Sequence, residues 1–235
     1  MGLGALKFYH DSSTENQLQM SYSNFEAHSL LKIQEKACSG MFSDFTDGDG
    51  KTRIWNNFKS TSDRNIFGVV RTIELESMIT DDENLVIGLP FLTSLDHGDV
   101  LIVKGADGFA YFGELMANLA KRTGVSGTII FGASRDSRAI SQLDYPLFAT
   151  SFTPIDIKGR GRVKAVDVQV EIDGYSIEPL SWVFADSDGA VFFPNEIAEA
   201  VLSGVLSMID SEQEILGQIA QGLSGEQLAK IHEGF

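Results

Sequence analysis

The chain has 235 residues and a hydrophobic fraction of 43%, enough to bury one sizeable core, and we expect a single domain over residues 1–235. Its formal net charge of −15 argues against nucleic acid as a direct partner, because phosphate backbones require clusters of Lys and Arg. The densest basic run, residues 158–164, alternates in the manner of a solvated strand face.

Three further features indicate where the protein works. Cys38 is the single cysteine, so no disulfide can form within the chain and a reducing compartment is expected. No apolar window of about 18 residues occurs, which excludes an ordinary membrane span. Residues 1–19 lack the basic start and apolar core of a signal peptide, so a cytoplasmic location follows.

The first 60 residues contain one clear periodic segment. Residues 1–23 are polar and predict an irregular lead-in. Apolar residues within Phe25–Cys38 are spaced as in an amphipathic helix. Residues 44–51 are rich in Asp and Gly and faintly resemble a calcium loop, but Lys51 breaks the acidic spacing and the closing Glu is absent, so a polar turn is favoured.

The middle of the chain predicts a parallel sheet. Ile66–Leu75 is β-branched and predicts a strand. The strand Gly98–Lys104, the helix Gly113–Thr123 and the strand Ser126–Gly132 follow, with Gly124 placed as a helix C′ residue. A strand–helix–strand unit is typical of parallel pairing. A short helix and another strand continue the pattern over residues 137–142 and 146–151.

The later segments change character. Residues 162–172 alternate between apolar and polar positions, and the segments 182–185 and 190–194 flank the turn sequence Asp186–Gly189. These features predict an antiparallel half after the parallel half. Residues 195–235 show helical periodicity, and Ser224 with Gln227 forms the capping-box pattern of a last helix.

The start of the helix Gly113–Thr123 is a candidate anion site. The first turn of a helix presents unpaired N–H groups at the positive end of its dipole, so an anion can bind there without a cationic side chain. Gly113 has no Cβ and permits close approach, while Glu114, Leu115 and Met116 supply backbone N–H groups. The Glu114 side chain can act as a cap or in a supporting role.

Arg135 and Asp136 follow the next predicted strand, and the crossover brings the start of the helix beside the end of that strand. A guanidinium can stabilise a developing oxyanion, and a single carboxylate suits Mg²⁺ or Mn²⁺ completed by water and substrate oxygens. On residue types alone, the pair is more often a loop pair, with Asp136 capping the helix that begins at Ser137. Both interpretations stay open at this point.

A family resemblance strengthens the functional interpretation. Residues ~66–200 resemble the RraA-like family, which includes 4-hydroxy-4-methyl-2-oxoglutarate aldolases and regulators of ribonuclease E activity, whereas residues 1–60 match poorly. The matching motifs are Gly98-Asp99-Val100, Asp107-Gly108, Gly113-Glu114-Leu115, Gly124-Val125-Ser126-Gly127, Gly132-Ala133-Ser134-Arg135-Asp136 and Asp186-Ser187-Asp188-Gly189-Ala190-Val191. The resemblance implies an α/β fold, a three-layer β/β/α sandwich with one parallel and one antiparallel sheet, followed by C-terminal helices.

The resemblance also implies roles for the candidate residues. The N–H groups of Gly113 to Met116 would hold the C1 carboxylate of a small 2-oxo acid, Arg135 would contact the C2 oxygen, and Asp136 would hold Mg²⁺ or Mn²⁺. The implied activity is a class II type aldolase or lyase that cleaves a 4-hydroxy-2-oxo acid and releases pyruvate, with oxaloacetate decarboxylation as a side activity. A homotrimer or homohexamer is implied as well. The alternative is a non-catalytic, protein-binding regulator, and Asp136 favours the enzyme.

The remaining candidates are weaker. Asp107 follows a predicted strand and could lie near the metal, although an Asp-Gly turn residue is the more common interpretation. Asp186 and Asp188 belong to the predicted hairpin turn and are expected to be structural. The four histidines show no ligand spacing.

Overall fold

A long central strand joins two differently paired groups of strands in the computed structural model, which describes residues 25–79 and 87–232. This strand, β3, covers Ile66–Ser77. Its first four residues pair antiparallel with β10 (Trp182–Asp186), whereas residues 70–74 pair parallel with β4 (Val100–Lys104). The predicted lead-in at residues 1–23 lies outside the described residues.

The parallel group is the one that the sequence predicts. Its order is β3, β4, β5 (Gly127–Ser134) and β6 (Leu147–Phe152), and the short β2 (Lys59–Ser60) adds antiparallel to β6. Helix α4 (Glu114–Thr123) connects β4 to β5, and helix α5 (Ser137–Gln142) connects β5 to β6. The carboxyl ends of β4, β5 and β6 therefore share one edge, where a ligand site is expected.

The antiparallel group contains the predicted hairpin. Strands β10 and β11 (Gly189–Phe193) pair through it, and β1 (Arg53–Trp55) pairs with β11. The alternating segment at residues 162–172 forms two strands, β7 (Gly161–Val166) and β8 (Val170–Ile172). Asp167 divides them because it adopts a left-handed conformation with φ of 54°.

Alternate residues of the parallel strands enter two different cores, which explains the layered fold. Leu101 and Val103 pack with α3 (Gly88–Thr93), α4 and α5, whereas Ile102 faces the antiparallel strands through a separate cluster that includes Phe192. The predicted β/β/α arrangement is confirmed, with both sets of strands hydrogen bonded through β3. A third cluster covers the outer face of the antiparallel strands with helices α1 (Ala27–Lys36), α2 (Ser39–Thr46) and α6 (Asn195–Ala220).

Helix α2 and the short strands β1 and β2 were not predicted from the sequence. The end of α2 overlaps the segment interpreted as a polar turn, and its start depends on a distant residue, because the N–H and hydroxyl of Ser39 both donate to the Asp186 carboxylate at 2.7 and 2.8 Å. The last helix, α7 (Gly225–Ile231), has the predicted capping box at Ser224. None of the helices in the described ranges combines the length and the hydropathy of a membrane span.

Candidate functional site

The loop between β4 and α4 is fixed between two other segments of chain. The Gly105 N–H donates to the Phe131 carbonyl at 2.9 Å, which ties the loop to β5. Further along, the Ala110 N–H donates to the Ile155 carbonyl at 2.8 Å, which ties it to the segment after β6. The loop therefore brings Gly113 and the start of α4 to the shared edge of the parallel strands.

The start of α4 contacts the Arg–Asp pair directly. The Glu114 N–H donates to Asp136 Oδ2 at 3.1 Å. A Cβ atom at Gly113 would lie 2.5 Å from Asp136 Oδ2 and 2.9 Å from Arg135 Cγ, closer than packed atoms allow. Gly113 has an extended backbone with φ of −150°, so space, and not conformation, requires glycine here. The structure thus brings together the two motifs that lie 22 residues apart.

Asp136 does not cap its own helix. It occupies the N-cap position of α5, but its side chain makes no cap hydrogen bond there and accepts from the start of α4 instead. Its backbone is left-handed, with φ of 57°. Such conformations are uncommon outside glycine and are concentrated at functional sites. The cap interpretation left open by the sequence is therefore wrong for α5.

Arg135 is held by a second carboxylate that the sequence analysis missed. Its Nη1 donates to Asp156 Oδ2, and its Nε lies 3.5 Å from Asp136 Oδ2. Asp156 Oδ1 accepts the Lys158 N–H at 2.8 Å. Burial alone would raise the pKa of Asp156, but the Lys158 N–H and the Arg135 guanidinium together hold that pKa below its ordinary value. Asp156 therefore stays ionised and fixes one side of Arg135.

A signal for Asp156 was present in the sequence. Asp156 follows β6, and the carboxyl end of β6 lies beside that of β5 in a parallel pair, so the two loops must be neighbours. Residues after each strand of the predicted parallel sheet were thus candidates for the same site.

The first turn of α4 leaves donors for an anion. The first hydrogen bond of the helix runs from the Ala117 N–H to the Gly113 carbonyl at 3.0 Å. The N–H groups of Leu115 and Met116 come before this bond and therefore have no carbonyl partner within the helix. The Met116 side chain is buried, whereas the Leu115 side chain is 83% exposed. The contribution of these residues to a ligand would come from their backbones.

A cavity of about 490 Å³ opens beside the pair. The charged residues that line it are Glu114, Arg135, Asp136 and Arg138. The described part of the chain holds no group of three or more His, Cys, Asp or Glu side chains placed to bind a metal. Mg²⁺ needs no such group, since it commonly binds through one or two carboxylates plus water and substrate oxygens. Asp136 is 43% exposed and engages its Oδ2 atom, which leaves Oδ1 for a cation, so the residues fit.

The other candidate acids lie elsewhere. Asp107 lines a separate cavity of about 370 Å³ with Thr150 and Asp173, and its Oδ1 is 3.4 Å from the Thr150 hydroxyl. The structure therefore does not place Asp107 with the Arg–Asp pair. Asp186 caps α2 through Ser39, which is a structural role.

A family model described as RraA-like (Aldolase/RraA) matches residues 36–192, which is most of the chain and includes the whole site. The chain belongs to the RraA-like family. The match also extends upstream of the region in which the motifs suggested the resemblance.

Two curated relatives differ in how much of this chain they match. "Putative 4-hydroxy-4-methyl-2-oxoglutarate aldolase" of Halalkalibacterium halodurans is 29% identical over 157 residues, covering 66% of this chain and 72% of the relative. Protein DlpA of Legionella pneumophila is 31% identical over 118 residues, covering 49% of this chain. The chain spans about a fifth (19%) of the length of DlpA, so DlpA is informative for the shared segment alone.

Solved structures support the same fold. An uncharacterized protein from Pseudomonas syringae pv. tomato has a TM-score of 0.74 at 23% identity, and the match covers 87% of this chain and 98% of that one. The RNA-processing inhibitor RraA from Thermus thermophilis has a TM-score of 0.54 at 27% identity, with coverage of 65% and 92%. The relatives thus include names of aldolases and of an RNA-processing inhibitor.

Proposed function

We propose that this RraA-like protein is a divalent-metal-dependent lyase, a class II type aldolase that cleaves a 4-hydroxy-2-oxo acid and releases pyruvate. The observation that carries the proposal is the contact between the start of α4 and the Arg135–Asp136 pair, at 3.1 Å from the Glu114 N–H to Asp136 Oδ2. This contact supports the proposal because the first turn of α4, the guanidinium of Arg135 and the carboxylate of Asp136 lie together, and Glu114, Arg135 and Asp136 all line the cavity. Oxaloacetate decarboxylation is a proposed side activity, because it passes through the same pyruvate enolate.

The start of α4 would hold the C1 carboxylate of the substrate. The N–H groups from Gly113 to Met116 point out of the first turn, where the helix dipole favours an anion. The Asp136 carboxylate accepts a hydrogen bond from the Glu114 N–H, and this contact supports a carboxylate site at this end of the helix. The N–H groups of Leu115 and Met116 are then available for the substrate.

A base takes the proton of the C4 hydroxyl, the C4 carbonyl forms, and the electron pair of the C3–C4 bond passes to the enolate of pyruvate, which is then protonated at C3. Arg135 would contact the C2 oxygen and stabilise that enolate. The pairing with Asp156 supports this role, because a guanidinium fixed on one side loses less freedom when it binds a ligand on the other. Asp136 would hold Mg²⁺ or Mn²⁺. When bound, the cation would supply Lewis-acid stabilisation of oxygen atoms that gain charge.

The proposal includes a homotrimer or homohexamer with sites near subunit boundaries. Two apolar side chains next to site residues support it: Leu115 is 83% exposed and Ile155 is 43% exposed. In the proposed assembly, a neighbouring subunit would cover both side chains.

Pyruvate release from oxaloacetate is the first test. We expect release in the presence of Mg²⁺, loss of release on addition of EDTA, and recovery with excess Mg²⁺ or Mn²⁺. Asp136→Asn keeps an acceptor for the Glu114 N–H but removes the charge, so this variant should lose the metal-dependent rate. Asp63→Asn is the matched control, since Asp63 is exposed and lies outside the cavity. An unchanged rate of pyruvate release after addition of EDTA would contradict the metal-dependent mechanism.

Borohydride trapping separates this mechanism from a Schiff-base aldolase. None of the residues that line the cavity is a lysine. Reduction of the protein with borohydride in the presence of pyruvate should therefore give no mass adduct. A trapped pyruvyl-lysine would contradict the proposal.

The second candidate is a non-catalytic, protein-binding regulator, and the similarity to the Thermus RNA-processing inhibitor is the observation that favours it. The net charge of −15 would then suit a basic partner. Normal binding of such a partner by Asp136→Asn, together with no pyruvate release by the wild type, would support this alternative.

A further inference from the structure

One arginine at the cavity has no role in the proposed mechanism. Arg138 lines the cavity together with Arg135, yet its exposed guanidinium makes no hydrogen bond or ion pair with any described residue. Arg135, by contrast, is engaged by Asp156 and lies close to Asp136. Of the two guanidinium groups at this cavity, that of Arg138 is therefore the one without a carboxylate partner among the described residues.

The position of Arg138 is unfavourable for the helix that carries it. Arg138 lies in the first turn of α5, where the helix dipole disfavours a cation. Helix α4 shows the favourable arrangement, with Lys121 and Arg122 in its last turn and Glu114 in its first. The helix dipole does not stabilise Arg138 and no described residue pairs with it, so its guanidinium can bind an anionic ligand at the cavity.

The size of the cavity is consistent with a ligand larger than pyruvate. Its volume of about 490 Å³ lies within the range of ordinary small-molecule sites. The pyruvyl portion of the substrate would bind to the start of α4 and to Arg135. The portion beyond C4 would occupy the remaining volume of the cavity. In the proposed site, Asp136 would be neutralised by the cation and Arg135 would contact the C2 oxygen, which leaves Arg138 as the cationic side chain of the lining that can pair with a second anionic group.

We propose that Arg138 binds an acidic group on the C4 side of the substrate, and so selects 4-hydroxy-2-oxo acids that carry a second carboxylate. This inference rests on the proposed function and assigns the residue of this chain that determines specificity. Charge-assisted pairing of a guanidinium with a carboxylate is strong and geometrically specific, which makes such a residue an effective selector.

Binding of two unreactive ligands tests the assignment without turnover. 2-Oxoglutarate and 2-oxopentanoate have the same chain length and differ in that a carboxylate replaces the terminal methyl group. With Mg²⁺ present, calorimetry should show at least ~10-fold tighter binding of 2-oxoglutarate to the wild type, and Arg138→Gln should remove this preference. Arg138→Lys should keep part of it. Arg122→Gln, which removes an exposed arginine outside the cavity, should keep all of it.

Turnover supplies the second measurement. For 4-hydroxy-2-oxoglutarate, Arg138→Gln should raise KM by ~10-fold or more and change kcat little, whereas 4-hydroxy-2-oxopentanoate should be cleaved as by the wild type. An equal loss on both substrates, or an unchanged ligand preference in Arg138→Gln, would overturn the role of Arg138. If the wild type cleaves neither substrate but the binding preference depends on Arg138, the proposed function fails and the assignment of Arg138 survives.

Discussion

Two arginines in this molecule each lie between two aspartates, but one cluster is buried and the other opens onto a cavity. In the buried cluster, Arg71 Nη1 is 3.1 Å from Asp99 Oδ2, and Arg71 Nη2 is 2.6 Å from Asp167 Oδ2. In the open cluster, Arg135 pairs with Asp156 and lies 3.5 Å from Asp136. The residue types are the same, so the surroundings decide what each cluster can do.

Burial separates the two clusters. Arg71 is 3% exposed and Asp99 is fully buried, whereas Arg135 is 31% exposed. Burial raises the pKa of Asp99 to about 6 despite the Asp96 N–H and Arg71, while the partners of Asp156 hold its pKa below the ordinary value. Asp99 Oδ1 is also buried without a hydrogen-bond partner. The buried cluster thus carries an electrostatic cost, which the open cluster avoids.

The open cluster, unlike the buried one, can exchange protein partners for a ligand, which is why we propose it as the functional cluster. Each cluster contains an aspartate with a left-handed backbone, Asp167 with φ of 54° and Asp136 with φ of 57°. Backbone conformation therefore does not distinguish them, and access to a cavity does.

The largest expected effect comes from removing the buried arginine. Arg71→Ala leaves Asp99 without its cation in the core, and we expect the free energy of unfolding to fall by ~3–5 kcal/mol. Arg135→Ala should change it by less than ~1 kcal/mol, because its partners are partly solvated. Urea unfolding of both variants measures the contrast. Equal destabilisation would show that burial does not separate the clusters.

In catalysis the order of the two variants should be reversed, with Arg135→Ala losing more turnover than Arg71→Ala. Arg135→Ala removes the proposed oxyanion-stabilising group. Such groups are commonly worth ~3–4 kcal/mol of barrier, so turnover should fall by ~10²–10³-fold. Whatever fraction of Arg71→Ala remains folded should turn over at close to the wild-type rate. The measurement is metal-dependent pyruvate release per folded molecule, and near-normal turnover of Arg135→Ala would remove this residue from catalysis.

The pH dependence of stability should reveal the buried cluster. The pKa of Asp99 is about 6 in the folded state against 3.8 for an unperturbed Asp, so between these pH values the folded state binds more protons than the unfolded state. The stabilising contribution of Asp99 is therefore complete below about pH 4 and lost as pH rises through about 6. The total change is ~3 kcal/mol.

Asp99→Asn isolates this contribution. The free energy of unfolding of the wild type, minus that of Asp99→Asn, should fall between pH 4 and pH 7, because the effect of the overall negative charge is common to both proteins. Asp63→Asn, at an exposed position, should give a constant difference from the wild type. Parallel curves for the wild type and Asp99→Asn would mean that Asp99 does not titrate in this range.

The sequence predicted elements whose boundaries are set locally. The helix expected at Gly113–Thr123 is observed at Glu114–Thr123, since its ends are fixed by Gly113 and by the left-handed Gly124. Features that depend on distant residues were missed. Helix α2 begins at the Asp186 carboxylate, 147 residues away, and no local pattern encodes that cap.

The candidate site shows the same division. Its Gly-Glu and Arg-Asp motifs could be found because each lies next to a predicted element. The alternation over residues 162–172 did not reveal the left-handed Asp167, which interrupts it and supplies a partner to Arg71. Asp156 lies 21 residues from Arg135, and their contact exists because β5 and β6 end at the same edge.

Of the substitutions in the two clusters, Asp156→Asn is expected to have the smallest effect. The amide keeps an acceptor for the Lys158 N–H but removes the charge that holds Arg135, so the guanidinium should remain near the site and be less well positioned. We expect turnover to fall by ~10-fold, corresponding to ~1.4 kcal/mol, with little change in the free energy of unfolding. The loss should appear mainly in kcat, because Asp156 acts through Arg135 and is not expected to touch the substrate. A loss confined to KM would instead place Asp156 in substrate binding, and the open cluster would then extend farther around the cavity than Arg135 and Asp136.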